Sequence, residues 1–246
     1  MSRIQLSRPL AEAEPQYEVI VIGSGYGAAI AASRLARAGR RVALLERGRE
    51  IRPGDYPRSM TEIAGDAQVR VADNGQRLGR ADGLLDLHLN DDLSVLVGCG
   101  LGGTSLINAN VALESDARLK AYFDWPKVYQ DQPGLLAPYY DRARKALGST
   151  PYPDSAPTLP KLAALKQSAA AMGQPFYRPP INVTFQDGPN AFGFAQKACT
   201  LCGDCCTGCN YGAKNTTLMN YLPDARAFGA AIFTGAEVRR IARSGD

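Results

Sequence analysis

Three groups of residues have types and spacings that can do chemistry. The first is Gly23–Ser24–Gly25–Tyr26–Gly27–Ala28, which fits G-x-G-x-x-G/A with alanine in the last place. Gly23 permits a tight turn, Gly25 lets the backbone approach a pyrophosphate, and Ala28 lets the following helix lie close to a sheet. Eighteen positions beyond Ala28 stands Glu46, followed by Arg47, and both are candidate cofactor contacts. An acid there is placed to accept a hydrogen bond from a ribose hydroxyl, which favours FAD or NAD over NADP. The second group is Gly98–Cys99–Gly100–Leu101–Gly102–Gly103–Thr104–Ser105, running on to Asn108–Ala109–Asn110–Val111. Its first six residues carry few Cβ atoms, so the main chain can run close against a ligand. The third is Cys199, Cys202, Cys205 and Cys209, a C-x2-C-x2-C-x3-C run with Cys206 inside it. That spacing is the bacterial ferredoxin run, except that Asn210 stands where proline would follow. It leaves a [4Fe–4S] cluster, a zinc ion and a metal-free thiol turn all open.

The flanking residues supply the elements that the first glycine motif requires. Glu18–Val19–Ile20–Val21–Ile22 reads as a strand buried on both faces. Ala28 to Ala38 reads as a helix with Ala29, Ala32, Leu35 and Ala36 on its inner side, stopped by Gly39. Val42 to Leu45 reads as a second buried strand, completing one parallel βαβ unit. A strand at Leu93–Val97 feeds the second glycine loop. Between these, Ile51 to Asp92 has little periodicity and reads as a long excursion with one helix or hairpin. Helices are expected at Tyr139–Leu147, Lys161–Met172 and Thr217–Phe228, and two strands joined at Gly235 within Ala231–Ile241. The fold class is therefore α/β, with a Rossmann-like parallel sheet and an irregular cysteine-rich insertion. The expected organisation is a flexible leader over 1–16, a dinucleotide-binding part over 17–150, a proline-rich and cysteine-rich connector over 151–210, and a return to the first part over 211–246.

Bulk properties exclude several classes. The 246 residues are 45% hydrophobic and 21% charged, close to ordinary globular values. Net charge is +4, and the arginines of 34–41, 47–58 and 239–243 read as solvated faces; no aromatic interleaving or binding motif points to nucleic acid. No apolar run approaches the length that spans a bilayer. Met1 to Gln16 lacks the apolar core of a secretory signal and carries Glu12, Glu14 and Pro15, so a cytoplasmic location with reduced thiols is expected.

The glycine motif at 23–28, the loop ending Thr104–Ser105–Leu106–Ile107–Asn108, and Gly212–Ala213–Lys214–Asn215–Thr216 followed by Tyr221–Leu222 together resemble the glucose–methanol–choline oxidoreductases, in particular their cholesterol-oxidase-like branch. The resemblance runs from about Glu18 to Ile241 and is specific in those blocks and in the cysteine run. It implies FAD as cofactor, and a substrate that is an alcohol or sterol. It further implies hydride transfer to flavin N5, and O2 or another carrier as electron acceptor. The implied contacts on the second loop are Gly103, Thr104, Asn108, Ala109 and Val111, within a candidate set that also takes in Gly98, Gly100, Gly102, Ser105 and Asn110. Ala236–Glu237–Val238 resembles the strand whose main chain holds the adenine, which assigns Val238. Members of the family place a catalytic histidine near the end of a much longer chain. The single histidine here, His88, matches no such position, so no catalytic residue is named and the chain is expected to be a fragment. Three other classes stay open at this point: an NAD-dependent dehydrogenase, an iron–sulfur electron-transfer module, and a binding module without flavin.

Overall fold

The computed structural model describes residues 5–71, 76–115, 126–132 and 134–243. A three-stranded parallel sheet sits at the centre, formed by β1 (Val19–Ile22), β2 (Val42–Leu45) and β11 (Ala231–Phe233), with β2 in the middle. Val19 pairs with Val42 and Ile22 with Leu45, and on the other side Ala231 pairs with Ala43. Between β1 and β2 the chain makes α1 (Tyr26–Arg37), as the glycine motif requires. Ala29, Ala32 and Ala36 recur at helical spacing on its buried face, and their small side chains let the helix axis lie close to the sheet. Leu44, Ile232 and Phe233 are fully buried, each contributing about 1.5–3 kcal/mol.

β1 departs from the expectation that both its faces are buried: Ile20 and Ile22 are 57% and 49% exposed. One sheet face is packed by α1 and by α6 (Tyr221–Ala227), while the other carries the small cluster of Ala43, Ala231 and Phe233 with Tyr17 and Leu45. A run of apolar residues reports β propensity and cannot report which faces are covered. Within the leader expected to be flexible over 1–16, residues 6–8 are tied down: Leu6 N, Ser7 N and Ser7 Oγ all donate to the Glu50 carboxylate, and Arg8 bridges to Phe233. The first four residues lie outside the described ones.

The segment expected as a loose excursion forms a second sheet. After α2 (Met60–Gly65), with Ser59 Oγ capping it by accepting from Glu62 N, come β3 (Ala67–Val71), β4 (Arg77–Gly79), β5 (Leu85–Leu89) and β6 (Val95–Gly98). Their order is β4-β3-β5-β6, with β3 parallel to β5 and the other pairs antiparallel. The pattern was hidden because polar residues point inward. Gln68 and Asp86 are buried, and Asp86 is held by Arg47 and Arg70.

Two short helices follow, α3 (Lys127–Asp131) and α4 (Ala137–Leu147), the latter ending on left-handed Gly148. The two-residue strands β7 (Thr150–Pro151) and β8 (Pro180–Ile181) pair across α5 (Pro160–Ala171), a helix that buries only Ala169 among the described residues. A second two-residue pair, β9 (Gly188–Pro189) with β10 (Ala195–Gln196), precedes the cysteine-rich turn. The helix expected over Thr217–Phe228 is interrupted. A 3-10 turn at Thr217–Met219 gives way to α6 at Asn220, whose Oδ1 accepts from Tyr221 N at 2.6 Å. The second strand expected before Ile241 is not formed; residues 236–243 run without regular structure. None of the described helices is long and apolar enough to cross a membrane.

Candidate functional site

β1 delivers the first glycine loop and β6 delivers the second, and the two loops interlock. Gly23 has φ +86, a conformation that glycine adopts without strain. Gly25 then caps α1, whose first-turn N–H groups have no acceptor within the helix and carry its positive dipole end. Gly103, at φ +56, passes so near that a Cβ on it would lie 2.9 Å from Gly25 Cα. Gly98 is equally constrained, since a Cβ there would meet Gly103 O at 2.6 Å. From Gly103 the chain makes a 3-10 turn to Leu106, and Gly98 N donates to Thr104 Oγ1 at 3.1 Å.

Buried hydroxyls stitch the loops together. Ser24 Oγ accepts from Gly102 N at 2.8 Å and donates to Glu46 Oε2 at 2.5 Å. The other Glu46 oxygen accepts from Gly48 N at 2.7 Å. The acid picked out by its spacing thus lies against the first loop at the end of β2. Ser105 Oγ donates to Gly102 O at 2.6 Å and accepts from Thr217 N at 3.1 Å. Thr217 Oγ1 in turn reaches Ser24 O at 3.2 Å. At the open end, Asn108 Nδ2 donates to the Tyr26 hydroxyl at 2.7 Å, and burial pushes the Tyr26 phenol above its ordinary range.

The residues expected at the site are therefore mostly brought together. Gly23, Ser24, Gly25, Tyr26, Gly27 and Ala28 form one segment, tied to Glu46 through Ser24, and Gly98 through Ser105 with Asn108 form the segment that adjoins it. Ala109 and Asn110 continue the second loop. Asn110 has φ +68 and its main-chain oxygen accepts from Asn182 N at 2.9 Å. Val111, half exposed, bridges to Ile181. Val238 lies outside any strand, but Ala236 N, two residues before it, donates to Glu46 O at 2.9 Å and so holds the segment beside the acid. Arg47 is the exception. Its guanidinium turns into the second sheet, donating to Asp86 at 2.5 Å and Gln68 at 3.2 Å. A buried carboxylate is a stronger partner than solvent or a loop carbonyl. His88 also belongs to that sheet, with Nε2 3.2 Å from Asp86.

The cysteine run differs from the cluster geometry expected of its spacing. All six cysteines are free thiols, and among the described residues no three His, Cys, Asp or Glu side chains are grouped to hold a metal ion. Left-handed backbone at Leu201, Gly203 and Gly208 turns the chain between successive thiols. Cys202 and Cys206 face solvent, while Cys199, Cys205 and Cys209 are partly buried. Burial raises the thiol pKa of Cys199 and of Cys205, opposing thiolate formation. Cys99 is separate: its charged neighbours are Arg47, Glu46 and Asp86, and burial raises its pKa too.

Two supporting residues have no short-range sequence signal. Thr217 ties both glycine loops, and Lys214 is buried beneath the second one. Both lie in or beside the block Gly212–Thr216, which was distinguishable by resemblance alone.

A parallel α/β sheet whose first crossover opens on a glycine loop, clasped by a second glycine loop, defines a Rossmann-like protein. The family model described as GMC oxidoreductase matches residues 17–246, and the chain belongs to that family. It is 31% identical over 249 aligned residues to a cholesterol oxidase of Mycobacterium tuberculosis (strain CDC 1551 / Oshkosh), covering 95% of this chain and 41% of that protein. It is 26% identical to the long-chain-alcohol oxidase FAO4B of Arabidopsis thaliana, covering 91% of this chain and 26% of that protein. Among solved structures, pyridoxine 4-oxidase from Mesorbium loti superposes with a TM-score of 0.54 at 17% identity, covering 94% of this chain and 44% of that one. The chain thus spans about two fifths of the cholesterol oxidase it matches, 41% by length.

Proposed function

We propose that this chain forms the FAD-binding part of an oxidoreductase that oxidises an alcohol carbon, with the two clasped glycine loops as the dinucleotide site. The observation that carries the reading is the contact of Gly103 with Gly25, together with the Asn108–Tyr26 hydrogen bond. It makes one continuous backbone surface out of segments that are far apart in sequence. The residues fit the group. A Cβ built on Gly23, Gly25 or Gly27 meets no atom within 4 Å, so the first loop faces open space that side chains would fill. Asn110 Oδ1, at the end of the second loop, is buried and lacks a hydrogen-bond partner among the described residues.

In this reading the first-turn N–H groups of α1 hold the pyrophosphate, where the helix dipole favours negative charge. Glu46 holds a ribose hydroxyl, and the main chain near Val238 lies beside the adenine. Gly100, Gly102, Gly103, Thr104 and Ser105 present backbone to the phosphates and the flavin, with Asn108, Ala109, Asn110 and Val111 continuing along it. Arg47 contributes by bracing the Glu46 segment against Asp86 instead of touching the cofactor. FAD, when bound, supplies the hydride acceptor at N5 for a carbinol carbon. The relatives named as cholesterol oxidase and long-chain-alcohol oxidase support a bulky hydrophobic alcohol as the substrate class. The test is anaerobic mixing of the full-length, FAD-loaded protein with a sterol and with a long-chain primary alcohol. Bleaching of the flavin absorption by either one is expected. Bound FAD that stays oxidised with every alcohol, while dithionite reduces it, would contradict the reading.

A further inference from the structure

Lys214 is 2% exposed, yet the titratable groups that bear on it are the thiols of Cys205, Cys206 and Cys209 and not a carboxylate. Its ammonium instead donates to three main-chain carbonyls: Leu106 O at 3.0 Å, Asn108 O at 2.7 Å and Cys205 O at 2.9 Å. Three donors on three acceptors satisfy the group's full hydrogen-bonding capacity. Two of those acceptors are the exit of the second glycine loop, and the third is the start of the last Cys-x3-Cys step. Burying an ammonium without a counter-charge is costly, and burial lowers the Lys214 pKa to about 8. A neutral side chain would fill the space at less cost, so the position calls for a group that can hold three carbonyls at once. The turn is itself anchored at a second point, where Gly208 leaves no room for a Cβ against the Tyr56 ring.

We propose that Lys214 is a positioning residue that makes the cysteine-rich turn 199–209 and the flavin loop 103–110 one mechanical unit, so that FAD binding at the loop orders the turn. The inference rests on the FAD reading above and goes beyond it. Coupling of this kind must act in both directions, so a change at the turn thiols is also felt as a change in FAD affinity.

Amide hydrogen exchange, read by mass spectrometry on the full-length protein with and without FAD, tests this. In the wild type, FAD is expected to slow exchange in 23–28, in 100–110 and also in 205–209, the last by about fivefold or more. In Lys214→Gln, which keeps donors but has neither the reach nor the charge, FAD still protects the two loops but no longer protects 205–209. Protection of both loops without the turn in the wild type overturns the inference and leaves the FAD reading standing. Turn protection that survives Lys214→Gln likewise overturns the role given to Lys214. No protection anywhere removes the FAD reading and this inference together. If Lys214→Gln does not fold, the wild type still decides, because FAD protection of the loops without the turn overturns the inference.

Discussion

Asn108 donates its side-chain amide to the hydroxyl of Tyr26 at 2.7 Å, closing the ring formed where Gly103 meets Gly25. Tyr26 is the first residue of α1 and Asn108 follows the 3-10 turn of the second loop. The bond therefore fixes the distance between the helix N-terminus that would hold phosphate and the segment that would pass the flavin. Tyr26→Phe removes the acceptor and leaves the amide to water. FAD affinity is expected to fall by about threefold to tenfold, measured by flavin fluorescence titration. Unchanged affinity would place the bond outside the binding surface.

Gly103 has two reasons to be glycine. Its φ of +56 costs an L-residue about 1–2 kcal/mol, and a Cβ would press on Gly25 at 2.9 Å. Gly103→Ala is expected to weaken FAD binding by about tenfold or more, with a smaller loss of thermal stability, because the contact lies between loops and not in the core. The same titration, paired with a melting curve, separates the two effects.

Glu46 is held by Ser24 Oγ and Gly48 N, one on each oxygen. Glu46→Gln places a donor where Ser24 also donates, so the stitch between β2 and the first loop is lost along with the negative charge. A drop in FAD affinity of about tenfold is expected, corresponding to one charge-assisted hydrogen bond. Glu46→Asp, which keeps the charge but shortens the reach, should fall between the two.

Asp224 joins α6 to α1. Its carboxylate, 5% exposed, accepts from Ser33 Oγ at 2.6 Å and from Arg37 at 2.8 Å and 2.5 Å. Arg37 is half exposed, so solvent screens its share of the pair. Asp224→Ala leaves Ser33 buried without its acceptor and is expected to cost about 2 kcal/mol by denaturant titration. FAD affinity should change little in protein that remains folded.

Lys214 gives a pH dependence with a definite sign. Burial lowers its folded pKa to about 8 from an ordinary 10.5. Between those values the unfolded chain binds the proton and the folded chain does not, so stability from this group rises with pH across that window. Below pH 8 both states carry the charge and the folded state bears its burial cost. The wild type should thus gain up to about 3 kcal/mol relative to Lys214→Met on going from pH 8 to 10.5. Taking the difference against the variant cancels the tyrosines and cysteines, whose raised values act in the opposite direction. A flat difference would mean that Lys214 titrates normally.

Legibility in the sequence followed the range of the interactions. The βαβ unit at 19–45 was readable because alanine spacing, β-branched runs and the glycine motif all act within a few residues. The clasp of the two loops was readable only as two separate glycine runs; nothing local says that Gly103 touches Gly25. The second sheet was missed because Gln68 and Asp86 point inward and are satisfied by Arg47 and Gly83 O, inverting the apolar alternation that marks a strand. Arg47 was misplaced for the same reason, since its partner lies across a sheet that the pattern did not reveal. The thiol spacing left an iron–sulfur cluster, zinc and a metal-free turn open, and spacing carries no information about the left-handed backbone found at Leu201.

The most direct test of the central claim is a titration of FAD into the full-length protein after flavin has been stripped from it, followed by visible absorption and fluorescence. The account predicts saturable binding of one FAD per chain, with a large loss of affinity in Gly103→Ala and Glu46→Gln and little in Asp224→Ala. Absence of saturable binding, or binding that is unaffected by Gly103→Ala and Glu46→Gln, would contradict it.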